Sequence, residues 1–224
     1  MSEEDRRHSV ASEAYLIQDE QQRAEAEARN GLLQFDLACH MIMDAIDKGE
    51  SWKLRLSAIL SLHRAALDGI SSYAGNFRPA SVAIQGSMHK PVDAFQVAEL
   101  IEELCDYVNE NWKDKTAIHL ASYVMWRLNW IHPFSDGNGR TSRMVSYLVL
   151  CVKLGLLLPG GNTIPDQIVL NRKPYFDALE LADKSSKNGS IDLSKMEELI
   201  EGMLATQLAG VMETATGKQF LSQT

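Results

Sequence analysis

Apolar residues recur at helical spacing along almost the whole chain, in blocks cut to helix length by six prolines and a few glycine clusters. Val97, Leu100, Ile101, Leu104, Cys105 and Val108 fall on one stripe. Ile118, Ala121, Val124, Met125 and Leu128 form a second, and Met144, Val145, Leu148, Val149 and Val152 a third. This three-and-four spacing buries one face of a helix and does not suit a strand. Ser51 is a candidate N-cap for a helix running to about Leu67, with Leu56, Ile59, Leu60 and Leu67 inward. Asp93 with Gln96 reads as a capping box, and Thr116 opens the next block. That helix must close by about Ile131, because a residue before proline is pushed out of the α region toward extended backbone, here His132 before Pro133. Helical blocks follow from about Gly139, over 171 to 187, and over 194 to 212. Residues 11 to 30, rich in Ala, Glu and Gln, predict an exposed helical arm.

One stretch breaks the period. Residues 70 to 91 carry Gly75, Pro79, Gly86 and Pro91 around the alternating Val82-Ala83-Ile84-Gln85, which reads as one small hairpin. The fold class is all-α, a helical bundle with a single β-hairpin flap. The expected organisation is an arm over 1 to 30, a core over 31 to 212 and a tail over 213 to 224.

With 224 residues the chain can fill one sizeable core. Its formal charge of −8 argues against nucleic acid or an anionic membrane surface as partner. Cys39, Cys105 and Cys151 are scattered among apolar neighbours, which suits reduced, buried thiols and no zinc site. The start lacks the apolar run of a signal peptide, and nowhere do ~18 apolar residues run together. The compartment expected on these grounds is the cytoplasm.

Chemistry concentrates in His132-Pro133-Phe134-Ser135-Asp136-Gly137-Asn138-Gly139-Arg140-Thr141-Ser142-Arg143. A histidine held by a following proline suits proton transfer near neutrality. Asp136 is a hard oxygen ligand of the kind that holds Mg²⁺ on substrate phosphates; it could also cap the following helix, but its register between His132 and the glycines favours the metal reading. Gly137 and Gly139 let backbone approach a ligand, and the N-terminus of the next helix points N–H groups at it. Arg140 and Arg143, three apart, add planar forks for phosphate oxygens. A base, a metal ligand, a glycine nest and two arginines describe a nucleotide-phosphate site.

This segment resembles the Fic (Fic/Doc) signature, H-x-F-x-[D/E]-G-N-G-R-x-x-R, at His132, Phe134, Asp136, Gly137, Asn138, Gly139, Arg140 and Arg143. Gly75-Asn76-Phe77-Arg78 resembles the element before that family's flap, and Val82 to Pro91 the flap itself. The resemblance implies a protein adenylyltransferase that uses ATP and Mg²⁺ and moves AMP to a Ser, Thr or Tyr hydroxyl of a target protein. His132 would be the catalytic base and Asp136 the metal ligand. Gly137, Asn138 and Gly139 would form the anion hole, with Arg140 on the β-phosphate and Arg143 on the γ-phosphate. Ala83, Ile84, Gln85 and Gly86 would dock the target by strand addition. Tyr175 and Phe176 would line the adenine pocket; Asp183, where relatives often carry Asn, leaves the base preference open. Ser9 and Glu13 resemble part of an inhibitory S-x-x-x-E motif whose Glu blocks the second signature arginine, with Ala14 where Gly or Asn is usual. The resemblance also implies automodification and leaves room for a homodimer. Two other readings keep the site: transfer from another phosphate donor, as in Doc-type kinases, or a nucleotide-sensing module held inactive. Intact Gly139-Arg140 favours AMP transfer over the kinase pattern.

Smaller signals read as structure. His119 suits a hydrogen-bonded helix histidine, Trp126 and Trp130 suit the core, and Ser194 with Glu197 suits a helix cap.

Overall fold

A computed structural model describes residues 9–10 and 15–216. The helices in it are α1 (Glu20–Lys48), α2 (Leu56–Leu67), α3 (Val97–Glu110), α4 (Ala117–Ile131), α5 (Asn138–Leu154), α6 (Ile164–Leu170), α7 (Arg172–Ser186) and α8 (Ser194–Thr216). All-α is therefore correct.

The hydrophobic pattern places the central pair. Leu120 through Trp126 on α4 and Met144 through Val152 on α5 are buried in unbroken runs, so these two helices are covered on every side. Helix α1 packs along α2 and α5, while α3, α7 and α8 lie against α4. Thr116 caps α4 as expected, its hydroxyl accepting the His119 N–H at 3.0 Å, and α4 stops at Ile131.

Other boundaries moved for local reasons. Ser51 does not cap α2; it sits in a short 3₁₀ turn, Gly49–Ser51, and its Oγ donates to Lys48 O at 2.8 Å. The chain then stays irregular because Asn109 captures buried Leu54, accepting its N–H at 2.8 Å and donating to its carbonyl at 2.9 Å. Asp93 makes no capping bond, since the chain enters α3 through a 3₁₀ turn, Ala94–Gln96. Glu197 does not close a capping box; its carboxylate takes His119 Nδ1 at 2.7 Å. Helix α6 was not anticipated, although Thr163 accepting the Asp166 N–H and Pro165 in the first turn are ordinary start signals.

The flap is not a hairpin. Ala83–Ile84 (β2) pairs antiparallel with Ser9–Val10 (β1), Ser9 opposite Ile84 and Val10 opposite Ala83. After Ile84 the chain makes a tight turn, Ser87 N–H to Ile84 O at 3.3 Å, with Gly86 at φ 72°. The residues beyond that turn run irregularly toward Pro91, so the pairing partner comes from the N-terminal segment. Nor is the arm separate: α1 runs unbroken through residues 30 and 31, with Ala26 and Asn30 buried, and Asn30 donates to Asp68 O at 2.8 Å.

Candidate active site

The connection from α4 to α5 folds into a cleft of about 770 Å³. Its walls are this turn, Tyr15, the first turns of α1 (Glu20, Arg23, Ala24, Glu27, Ala28), and Arg172, Tyr175 and Phe176 of α7.

His132 ends α4 in left-handed backbone, φ 54° and ψ 59°, where extended backbone was expected. Pro133 excludes a further right-handed residue. The left-handed turn closes the helix, His132 N–H reaching Leu128 O at 2.9 Å. A non-glycine residue there costs about 1–2 kcal/mol, strain of the kind found where a side chain must be aimed. The imidazole does not project freely. His132 is 3% exposed and forms part of the cleft wall. Nδ1 lies 3.4 Å from Asn129 O, an acceptor; a neutral ring that donates from Nδ1 to it keeps its lone pair on Nε2.

The turn is braced from within. Phe134 is fully buried and its ring stacks on His63 at 3.6 Å, within 5° of parallel. The Asn138 side chain holds this turn: Oδ1 accepts the Phe134 N–H at 2.9 Å and Nδ2 donates to Phe134 O at 2.8 Å. His63 bridges two loops, Nε2–H donating to Asp136 O at 3.1 Å and Nδ1 accepting the Gly75 N–H at 3.0 Å. Gly137 caps α5 at φ 74°, and a Cβ there would lie 2.5 Å from Leu67 Cδ2.

Charge gathers at the helix start. The Asp136 carboxylate accepts the Gly137 N–H at 2.6 Å and Arg140 Nη2 at 3.2 Å, while Arg140 Nη1 lies 3.8 Å from Glu27. Arg143 is half-buried, and desolvation pulls its pKa below the usual guanidinium range; Tyr175 opposes this through its field and a hydrogen bond. Tyr175 thus holds Arg143, and its hydroxyl accepts Asn129 Nδ2–H at 2.8 Å. Tyr15 stands at the cleft mouth under Arg23, 4.4 Å from its ring; burial first, then the Asp136 charge, raises its pKa.

The structure brings together His132, Asp136, Gly137, Asn138, Gly139, Arg140, Arg143, Tyr175 and Phe176. Ala83, Ile84, Gln85 and Gly86 are not among the cleft walls. Ser9 lies in β1, and Glu13 lies outside the described residues. Asp183 faces the core, accepting the Trp126 indole N–H at 3.0 Å, and does not line the cleft. Sequence reasoning missed Asn129, His63, Glu27 and Tyr15. The one available signal was polar residues, Asn129 and His63, on otherwise apolar helix faces.

A strained histidine, a carboxylate, a helix N-terminus and two arginines line one cleft at the turn of a helical hairpin. The Fic/DOC family model matches residues 53–150, so that stretch is similar to a Fic/DOC domain. The chain is similar to the "Protein adenylyltransferase Fic" of Drosophila willistoni, 29% identical over 193 residues, covering 79% of this chain and 36% of that protein. The Drosophila persimilis protein of the same description is 30% identical over the same length, with 35% of it covered. The chain therefore spans about a third of the curated relatives it matches. Among solved structures, Caenorhabditis elegans Fic-1 shares the fold at TM-score 0.64 and 20% identity, over 90% of this chain and 55% of that one. A Fic domain containing signaling protein from Bacteroides thetaiotaomicron does so at TM-score 0.67 and 17% identity, over 92% and 78%.

Proposed function

We propose that this chain carries the catalytic centre of a protein adenylyltransferase, moving AMP from ATP to a Ser, Thr or Tyr hydroxyl of a target protein. The carrying observation is the convergence of His132, Asp136, the α5 N-terminus, Arg140 and Arg143 on one cleft. His132 Nε2 takes the proton of the acceptor hydroxyl as its oxygen bonds the α-phosphorus; the bond to the β-phosphate oxygen breaks and pyrophosphate leaves. Transfer of this type depends mainly on positioning and charge neutralisation, which the helix N-terminus and the two arginines supply. Arg140 holds the β-phosphate and Arg143 the γ-phosphate.

The residues fit Mg²⁺. Asp136 offers one part-exposed carboxylate on the cleft side, and this ion typically takes one or two carboxylates together with substrate phosphates. Bound there, Mg²⁺ would neutralise charge on the α- and β-phosphates. Gly137, Gly139 and Asn138 build the nest, Asn138 by bracing it. Phe176 faces the base, and Tyr175 acts through Arg143. The target docks at the edge of β2, so an incoming segment takes the place of Ser9–Val10. The three free cysteines, without disulfides among the described residues, favour the cytoplasm.

Labelled ATP tests the reading. Protein that gains label from α-labelled but not γ-labelled ATP supports it; γ-label means a kinase, and neither label a sensing module.

One observation favours restraint of this activity. On either side of the residues that hold Glu13, Val10 sits on the flap and Tyr15 at the cleft mouth. Glu13 lies outside the described residues; an inhibitory role for it and Ser9, the role the S-x-x-x-E resemblance implies, is tested by substitution. Glu13→Gly should then raise automodification about 10-fold or more, the effect of ~1.4 kcal/mol on the competent population. An unchanged rate refutes it.

A further inference from the structure

Arg78 is 2% exposed, and no role above uses it. Its guanidinium donates to three backbone carbonyls from three separate segments. Nε reaches His132 O at 2.8 Å, Nη1 reaches Ala80 O at 2.9 Å, and Nη2 reaches Val92 O. The Arg78 backbone N–H adds a bond to Pro133 O at 2.9 Å. Ala80 and Val92 are the two feet of the flap, where the chain departs for β2 and returns from it. His132 O lies at the end of α4, where a helix leaves carbonyls without partners of its own and where its dipole favours a cation.

Charge and shape both count. A guanidinium presents five N–H donors in a fixed plane and can serve diverging acceptors together; an ammonium is a point charge on a flexible stem. Burial opposes the charge on Arg78, and the field of Asp93 favours it. A second tie runs alongside: His89 Nε2–H donates to Trp130 O at 2.7 Å, joining the flap's returning limb to α4 two residues earlier. Arg78 joins the flap to His132 itself.

We propose that Arg78 is a positioning residue that locks the left-handed His132 backbone and both feet of the flap into one frame, so that an acceptor hydroxyl carried on the flap meets the imidazole in register. The last clause rests on the transferase reading; the clamp stands on the contacts alone.

Arg78→Lys tests the clamp, since it keeps the charge and loses the fork; Arg78→Gln serves as a second variant should the first fold poorly. Three measurements apply: imidazole nitrogen resonances of His132, amide exchange over residues 82 to 90, and Mg²⁺-ADP affinity by calorimetry. The His132 resonances should move, and the flap amides should exchange at least ~10-fold faster. ADP affinity should hold within about 2-fold. His89→Ala should loosen the flap and leave the His132 resonances in place. In label transfer from α-labelled ATP, kcat should fall about 10-fold or more while KM for ATP holds, as expected when a reacting group is misplaced. His132 resonances that stay put in Arg78→Lys, or that move equally in His89→Ala, overturn the proposal. So does a parallel loss of ADP binding and thermal stability, which would make Arg78 an ordinary core residue. Wild-type protein that transfers no label refutes the transferase reading alone, because resonance and exchange still decide the clamp.

Discussion

At the scale of single residues, the proposed mechanism separates groups that act on the acceptor from groups that hold the donor. A neutral His132 ring that donates from Nδ1 to Asn129 O has Nε2 to offer, on the proposed mechanism, to the acceptor hydroxyl. His132→Ala should therefore lower transfer by ~10²–10⁴ while ATP affinity, measured by calorimetry, stays nearly unchanged. Retention of most of the transfer rate would exclude the base role. Arg143 sits deeper, tied to Tyr175, and on the proposed arrangement only ATP offers it a phosphate. Arg143→Ala should weaken ATP more than ADP. Equal losses for the two nucleotides would remove that assignment.

At the scale of elements, the α4–α5 hairpin is where fold and function share the same atoms. The turn between these helices keeps its shape through Phe134 stacked on His63 of α2, the two Asn138 bonds, and a glycine that α2 approaches too closely for any side chain. Gly137→Ala should cost about 1–2 kcal/mol through the left-handed backbone alone, before the clash with Leu67 is counted. Urea unfolding would measure it. Adding Leu67→Ala should relieve the clash and leave the backbone cost in place; full recovery would mean that the positive φ carries no strain. The flap is held by contacts of the same kind, through Arg78 and His89 to the end of α4.

At the scale of the whole molecule, two cysteines in the core link stability to pH. Burial pushes the Cys105 thiol up to about 12 and Cys151 to about 11, while an exposed thiol titrates near 9.0. The folded state thus keeps both neutral where the unfolded chain already ionises. Their contribution is complete below pH ~9 and is lost as pH rises through the range up to about 12. Urea midpoints should fall between pH 7.5 and 10.5, and fall less steeply in a Cys105→Ala/Cys151→Ala variant; identical slopes would show that other groups carry the dependence. The same scale shows what the amino-acid order determined by itself. Helical periodicity specified α3, α4, α5, α7 and α8, because the 3.6-residue repeat is a local property of each segment. The signature from His132 to Arg143 was legible for the same reason, all its groups lying within one turn and the helix that follows. What local order could not determine was which surfaces meet. Ala83–Ile84 offered an edge, but its partner, Ser9–Val10, is brought there only by the folded chain. That the Asn138 side chain ties to Phe134, and that Tyr175 stands beside Arg143, is likewise visible only in the folded chain. Arg78 could be counted in a motif, yet its purpose exists only where Ala80, Val92 and His132 converge. A hydrogen bond needs its partner within about 3 Å, and that distance is decided by tertiary packing.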